Sequence, residues 1–166
     1  ASNKRQYNVQ FDRKRIEFSK WSTIDRIEVA QWLKVRKVIW INGGTMQSFI
    51  WKFDGNLANL KKIEWNTASL PYQVARKGTA VIIGSAGGYE VLCALSHNFR
   101  YIGAIEMDPV SCDLLRNEYA DYSGRIFQLP QVNLVADEGR SVLKRLNRKF
   151  DVIQMVNSHN PDDLLS

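Results

Sequence analysis

The amino-acid sequence predicts an α/β protein: an open parallel sheet with helices on both faces, preceded by a small antiparallel β region. Three observations predict this class. Residues 80–108 read as strand, glycine-rich turn, helix, strand and acid. Two further apolar runs, at 131–135 and 150–156, each follow a helical segment, which is typical of parallel strands joined by crossover helices. Residues 7–53 instead contain short alternating segments, as antiparallel strands do.

The composition is that of a folded domain. Of the 166 residues, 45% are hydrophobic, with five Trp and six Tyr, which excludes disorder for most of the chain. No apolar run approaches the roughly twenty residues that cross a bilayer, and residues 1–5 lack the apolar stretch of a signal peptide. The sequence therefore predicts a cytoplasmic protein with no membrane segment.

Neither the charge nor the cysteines indicate a nucleic-acid or metal site. The basic residues lie in short runs, at 13–15, 34–37, 61–62 and 144–149. Because the formal charge of +6 forms no dense patch, it argues against a nucleic-acid partner. Cys93 and Cys112 fall on separate predicted helices without metal-ligand spacing, so we expect inert thiols and no metal.

The first part of the chain is predicted to be a small antiparallel sheet. Residues 37–41 form a β-branched run, Asn42-Gly43-Gly44 supplies a turn, and residues 46–53 return as the partner strand. Pro71 interrupts a helical pattern after this region, which predicts two short helices. The predicted division of the chain is 1–55 for the β-rich region, 56–78 for a helical linker and 79–166 for the main domain.

The main domain opens with a candidate nucleoside site. Strand 80–83 ends in Gly84-Ser85-Ala86-Gly87-Gly88, where small residues let backbone amides approach a ligand. A helix from Tyr89 would direct its positive end at that ligand. The second strand, 101–105, ends at Glu106, where a carboxylate can accept hydrogen bonds from two ribose hydroxyls. The alternative interpretation is tight packing of helix on strand.

Polar residues also follow the third and fourth strands. Asp137, Glu138 and Gly139 come after strand 131–135, at the edge where open α/β sheets bind ligands. An acid there can orient a base through its exocyclic amine, or it can cap the helix that begins at Gly139. The fourth strand, 150–156, is followed by Asn157 and by His159, which we interpret as a solvated surface histidine.

With these motifs in place, the chain resembles the class I S-adenosylmethionine-dependent methyltransferase fold and, more narrowly, the spermidine synthase-like family. The resemblance runs from about Trp21 to Ser158, with Asp54-Gly55 and Leu70-Pro71-Tyr72 upstream of the main motifs. Those motifs are Gly84-Ser85-Ala86-Gly87-Gly88, Glu106-Met107-Asp108-Pro109, Glu138-Gly139-Arg140-Ser141 and Phe150-Asp151-Val152-Ile153. The resemblance implies a Rossmann-like open sheet.

The resemblance also implies a ligand. S-adenosylmethionine, or its decarboxylated form, would place its methionine part on the glycine turn, its ribose on Glu106 and its adenine amine on Glu138. The implied activity is methyl or aminopropyl transfer to a small-molecule acceptor, such as an amine. The predicted cofactor-binding residues are Gly84, Ser85, Ala86, Gly87, Gly88, Glu106, Met107, Asp137, Glu138, Gly139 and Asn157. No catalytic residue is assigned.

Two departures from the family pattern argue against polyamine synthesis. Spermidine synthases carry an aspartate in the glycine loop and another at the tip of the fourth strand, whereas here the loop has none and Val156 takes the second position. A valine cannot pair with an ammonium or accept a proton. The alternative function is therefore a non-catalytic nucleotide-binding module. NAD binding ranks lower, because Ala86 and Tyr89 replace two glycines of that fingerprint.

The strand order implied by the resemblance gives an expectation about assembly. The first three strands would run outward on one side, and the fourth would lie beside the first on the other. Since ten residues follow Val156, we expect the parallel sheet to stop at its fourth strand, leaving an apolar edge. Such an edge favours association. We expect a homodimer to cover it, the alternative being cover by the N-terminal β region.

Overall fold

The computed structural model describes residues 15–32, 36–44, 46–60, 67–75 and 78–155, which contain two four-stranded sheets. The first sheet in the chain is antiparallel, and the second is parallel and alternates with helices. This arrangement confirms the α/β class and the antiparallel region that precedes the parallel sheet. None of the helices in the described segments has the length and apolar character needed to span a membrane.

The antiparallel sheet is a meander of β1 (Ile16–Trp21), β2 (Arg26–Trp32), β3 (Arg36–Ile41) and β4 (Met46–Ile50). The turn between β3 and β4 is the predicted one, because Asn42, Gly43 and Gly44 have φ values of 49°, 74° and 93°. Asn and Gly adopt this left-handed region at low cost. β4 ends earlier than predicted, because the Trp51 amide leaves the sheet to donate to the Gly87 carbonyl at 3.2 Å.

The parallel sheet consists of β5 (Thr79–Ile83), β6 (Tyr101–Glu106), β7 (Val132–Ala136) and β8 (Val152–Gln154). Its spatial order is β7-β6-β5-β8, so β8 lies beside β5 as the resemblance implied. β8 is shorter than the predicted strand 150–156. Its pairing starts late because Asp151 accepts a hydrogen bond from the Thr79 amide at 2.7 Å, and Val156 lies outside the described residues.

The described segments contain four helices: α1 (Leu70–Val74), α2 (Tyr89–Ser96), α3 (Pro109–Arg116) and α4 (Gly139–Arg145). α1 leads into β5, and the other three connect the strands of the parallel sheet. Short 3-10 turns occur at Leu57–Asn59 and Ile126–Gln128. α4 begins at Gly139, where the capping alternative placed its start, because Glu138 caps it, and it ends at Arg145, because Leu146 is extended.

Alternation along β5 places helices on both faces of the parallel sheet. Ala80 and Ile82 pack in a cluster with Leu92 of α2. Val81, between them, points the other way and packs with Val142 of α4. Successive residues of a strand face opposite sides of the sheet, so α2 and α4 lie on opposite faces. The predicted two-faced arrangement is confirmed.

The antiparallel sheet contributes to the same core. Ile27, Val29, Ile39 and Ile50 are at most 3% exposed and belong to the cluster that contains α2 and β5. Burial of each such side chain contributes about 1.5–3 kcal/mol relative to exposure. This packing holds β4 against the turn that follows β5, which is where the candidate site lies.

Candidate functional site

The turn after β5 folds back onto the neighbouring strand β6. The amides of Gly84 and Ser85 both donate to the Ile105 carbonyl, at 2.9 and 3.0 Å. Gly84 has a φ of 72° and Ala86 a φ of 39°, so the chain reverses within three residues. The left-handed conformation explains a glycine at position 84 and stores strain at Ala86. Hydrogen bonds to β6 therefore fix the backbone conformation of the glycine turn.

The glycines of this turn serve different purposes. A Cβ built on Gly84 would have no atom within 4 Å, so the space beside it is open. A Cβ on Gly87 would overlap the Phe49 carbonyl oxygen of β4, and one on Gly88 would lie 2.8 Å from Ile126. Gly87 and Gly88 are thus required by packing. Of the three glycines, only Gly84 faces space that a ligand can enter.

Glu106 lies directly against the glycine turn. Its Oε2 accepts the Ala86 amide at 3.1 Å, and its Oε1 accepts the Asp108 amide at 3.4 Å. Burial raises the pKa of this carboxyl, although the two amides act in the opposite direction. Each carboxylate oxygen has a second lone pair that these bonds do not use. Glu106 is therefore held in place with acceptor capacity remaining, as ribose binding requires.

The residues after Glu106 complete this side of the site. Asp108 is 3% exposed and caps α3, since its Oδ1 accepts the amides of Val110 and Ser111 at 2.8 and 3.0 Å. Its Oδ2 accepts a hydrogen bond from Ser22, in the turn between β1 and β2. Met107 is 51% exposed and is available to an apolar ligand surface. Asp108 thus joins the antiparallel sheet to the rim of the site.

Asp137 and Glu138 occupy the neighbouring strand tip. Glu138 caps α4: Oε1 accepts the Arg140 amide at 2.9 Å, and Oε2 accepts the Ser141 amide at 2.8 Å. These amides lower the pKa of Glu138. Asp137 forms an ion pair with Arg145 and accepts the Glu138 amide at 2.7 Å. The capping role that the sequence left as an alternative is therefore present, and adenine recognition by Glu138 stays a prediction.

The fold brings three of the predicted motifs to one edge. β6 and β7 pair so that Glu106 stands opposite Ala136, and the Asp137 amide donates to the Glu106 carbonyl at 3.1 Å. The glycine turn, Glu106 and the Asp137–Gly139 corner therefore form a continuous rim at the carboxyl ends of β5, β6 and β7. A Cβ on Gly139 would lie 2.6 Å from Ile83, so this glycine serves packing. Asn157 and His159 lie outside the described residues.

β4 contributes contacts that the sequence did not predict. Ser48 Oγ accepts the Gly87 amide at 3.3 Å. The Trp51 ring lies 4.4 Å from the Tyr89 ring, at the first residue of α2. The antiparallel sheet thus supports the glycine turn from outside. No local signal marks Ser48 or Trp51, because only the tertiary fold brings β4 to this position.

A second missed feature is the acid at the start of α2. Glu90 is 3% exposed, and its Oε1 has no hydrogen-bond partner among the described residues. A sequence signal existed, since Glu90 is the one charged residue in the run Tyr-Glu-Val-Leu-Cys-Ala-Leu. A charge inside an apolar helical run predicts either an exposed stripe or a buried functional acid. The structure shows that it is buried.

Comparisons with known proteins identify the fold. No family model and no curated protein sequence matches the chain. A solved spermidine synthase in complex with the transition state analogue AdoDATO matches 88% of this chain and 48% of its own length, with 20% identity and a TM-score of 0.62. The spermidine synthase from Thermotoga maritima matches with 19% identity and a TM-score of 0.63, over 92% of this chain and 50% of its own. The chain therefore has a spermidine synthase-like fold and spans about half the length of these structures.

Proposed function

We propose that the chain binds S-adenosylmethionine, or its decarboxylated form, over the glycine turn and acts as a transferase toward a small-molecule acceptor. One observation carries the proposal: the Glu106 carboxylate is fixed against the Ala86 amide at 3.1 Å, beside the open space at Gly84. A nucleoside needs this combination of a carboxylate for ribose and a backbone turn without side chains.

The residues present fit such a ligand. The Ser85 side chain is 0% exposed, and its Oγ has no hydrogen-bond partner within the described part of the chain. An unsatisfied polar group at the base of the glycine turn is suited to a polar ligand or a bound water. The N-terminus of α2 directs its partial positive charge toward the same turn, which favours the carboxylate of an amino-acid moiety.

In this assignment each part of the rim has one task. Glu106 orients the ribose, Met107 covers one face of the base, and Glu138 accepts the exocyclic amine through the one Oε1 lone pair that capping leaves unused. The bound ligand supplies an activated carbon on a sulfonium. The chain's own contribution is alignment of an acceptor with that carbon, which is a large share of catalysis in such transfers.

The proposed reaction is the transfer of either a methyl or an aminopropyl group. We also propose that the protein is a cytoplasmic homodimer. Efficient aminopropyl transfer to putrescine is not part of the proposed reaction, because the glycine turn contains no acid and the sequence has Val156 where the resembled family carries its second aspartate. The second candidate function, a nucleotide-binding module without turnover, is favoured by that same absence. Conversion of bound ligand in the presence of amines separates the two.

Calorimetric titration with S-adenosylhomocysteine tests the nucleoside site. We expect Glu106→Ala to weaken binding by about 1.5–3 kcal/mol, the range for hydrogen bonds to a charged group. Glu106→Gln should retain the contact to the Ala86 amide and lose less. Glu118→Ala, at an exposed acid outside the site, is the matched control. Equal affinity of the wild type and the Glu106→Ala variant would remove Glu106 from the site.

A further inference from the structure

A cleft of about 210 Å³ lies beside β4, at the segment that follows α3. Its lining contains no residue of the nucleoside rim. This volume is below the roughly 300–1,000 Å³ of pockets that hold drug-sized ligands, so the cleft fits a single ring with one substituent. We call it the β4 cleft, and it is lined by Arg36, Phe49, Ile50, Trp51, Lys52 and Tyr122.

The Arg36 guanidinium is held over two aromatic rings of this cleft. Its Cζ lies 5.7 Å from the ring centroid of Phe49 and 5.9 Å from that of Trp51. Both rings are themselves packed, with centroid distances of 6.3 Å from Phe49 to Trp32 and 4.4 Å from Trp51 to Tyr89. A guanidinium stacked on rings still has N–H groups along its edge, which match two oxygens of a phosphate or carboxylate. Arg36 is therefore preorganised to bind an anion.

Two cations of the β4 cleft lack an acidic partner among the described residues. Arg36 and Lys52 are exposed, and neither forms an ion pair within the described segments. Lys37, the next residue of β3, differs from them because Glu17 pairs with it. The lining of the cleft also contains no Asp or Glu. The cleft therefore presents two positive charges, which a ligand with two negative charges would neutralise.

We propose that the β4 cleft is a second ligand site and that it binds a phosphate monoester carried on one aromatic ring. A phosphate monoester has a charge of about −1.5 to −2 at pH 7, which matches Arg36 and Lys52 together. A carboxylate has one negative charge and would neutralise only one of these cations. The phosphate lies against the edge of the Arg36 guanidinium and the Lys52 ammonium, and the ligand's ring packs against Trp51, which is 37% exposed.

The β4 cleft adjoins the glycine turn without including it. Trp51 contributes its side chain to the cleft, whereas its backbone amide donates to the Gly87 carbonyl at 3.2 Å. The proposed nucleoside contacts are instead at Gly84 and Glu106. The phosphate monoester and the nucleoside therefore occupy different sites and can bind at the same time. The β4 cleft is also independent of the proposed transferase function.

Calorimetry with phenyl phosphate at pH 8 tests the β4 cleft, with phenol and inorganic phosphate as its two separate parts. We expect phenyl phosphate to bind the wild type. Each part should bind roughly tenfold more weakly or worse, because phenol lacks the charge and inorganic phosphate lacks the ring. Benzoate, a monoanion on the same ring, should also bind more weakly than phenyl phosphate.

Three variants locate the binding. Arg36→Gln should weaken phenyl phosphate binding roughly tenfold or more, the scale of hydrogen bonds to a charged group. Lys52→Gln should weaken it by a smaller factor, and this exposed position keeps the test decisive if Arg36→Gln is unstable. Arg148→Gln is the matched control, since that guanidinium also lies over two rings, 4.2 Å from Tyr101 and 4.9 Å from Phe150, but does not line the cleft. It should bind as the wild type does.

Saturation with S-adenosylhomocysteine separates the β4 cleft from the nucleoside rim, because phenyl phosphate should still bind. Loss of phenyl phosphate binding under this saturation would overturn the inference. So would no binding by the wild type, unchanged binding by a folded Arg36→Gln or by Lys52→Gln, an equal loss in Arg148→Gln, or equally tight binding of benzoate, phenol or inorganic phosphate. If S-adenosylhomocysteine itself does not bind, the proposed function fails, and the remaining results still decide the β4 cleft.

Discussion

Glu106, Glu138 and Glu90 are three acids near the same sheet edge in three different physical states. Glu106 is half-buried and bonded to two amides, so burial raises its pKa while the amides oppose that shift. Glu138 is exposed and accepts amides at a helix start, which lower its pKa. Glu90 is buried without comparable compensation, and burial raises its pKa. Solvation and hydrogen bonding decide which acid is ionised when a ligand arrives.

Glu138 can be tested for base recognition separately from capping. We expect Glu138→Ala to lower the affinity for adenosine roughly tenfold, the scale of one hydrogen bond to a charged group, while leaving the affinity for inosine unchanged. Inosine lacks the exocyclic amine, so only adenosine reports that contact. The lost cap should lower the melting temperature in either case. An equal loss for both nucleosides would assign Glu138 to the helix cap alone.

Glu90 also predicts a pH dependence of stability. Burial raises its pKa above the usual glutamate value of 4.5, so the folded protein holds this proton more tightly than the unfolded chain does. The contribution of protonated Glu90 to the free energy of unfolding is therefore fully present below about pH 4.5. It declines as the pH rises through the raised pKa of Glu90. We expect Glu90→Gln to increase the free energy of unfolding at pH 7 and to reduce this decline in urea titrations. If the free energy of unfolding depends on pH in the same way in Glu90→Gln and the wild type, Glu90 is not the source of this pH dependence.

At the scale of elements, the docking of β4 on the glycine turn determines the shape of the site. We expect Gly87→Ala to lower stability by about 1–3 kcal/mol, because its Cβ would overlap the Phe49 carbonyl, and to weaken nucleoside binding by displacing the turn. Gly43→Ala is the control, since a Cβ there would have no atom within 4 Å and would therefore displace no residue of the glycine turn. It should lower stability without changing nucleoside affinity. Unchanged affinity in both variants would remove β4 from the site.

The sequence predicts the elements that have local signals, but it does not predict the contacts between residues that lie far apart in the chain. The periodicity and the glycine turn predict β5, α2 and β6, because their order is local and each boundary has its own chemical signal. The contacts of Ser48 with Gly87 and of Tyr72 with Gln154 join residues far apart in sequence, so no local pattern predicts them.

At the scale of the whole molecule, β8 predicts association. It pairs with β5 on one side, and Ile153 and Met155 are 57% and 55% exposed. Hydrogen bonds of the antiparallel sheet reach the glycine turn and Asp108, and its Lys37 lies over the Tyr119 and Tyr122 rings. We expect the purified chain to form a dimer in light scattering at tens of micromolar. A stable monomer with slow hydrogen exchange in β8 would instead indicate that another part of the same chain covers the β8 edge.

The central claim is that a nucleoside cofactor lies over Gly84 to Ala86 with its ribose on Glu106. Backbone amide NMR during titration with S-adenosylhomocysteine tests it most directly, with NAD as the comparison. We predict saturable shifts of the Gly84, Ser85, Ala86 and Met107 amides with S-adenosylhomocysteine, and little change at these positions with NAD. Saturable shifts with NAD alone, or shifts confined to residues away from this turn, would contradict the account.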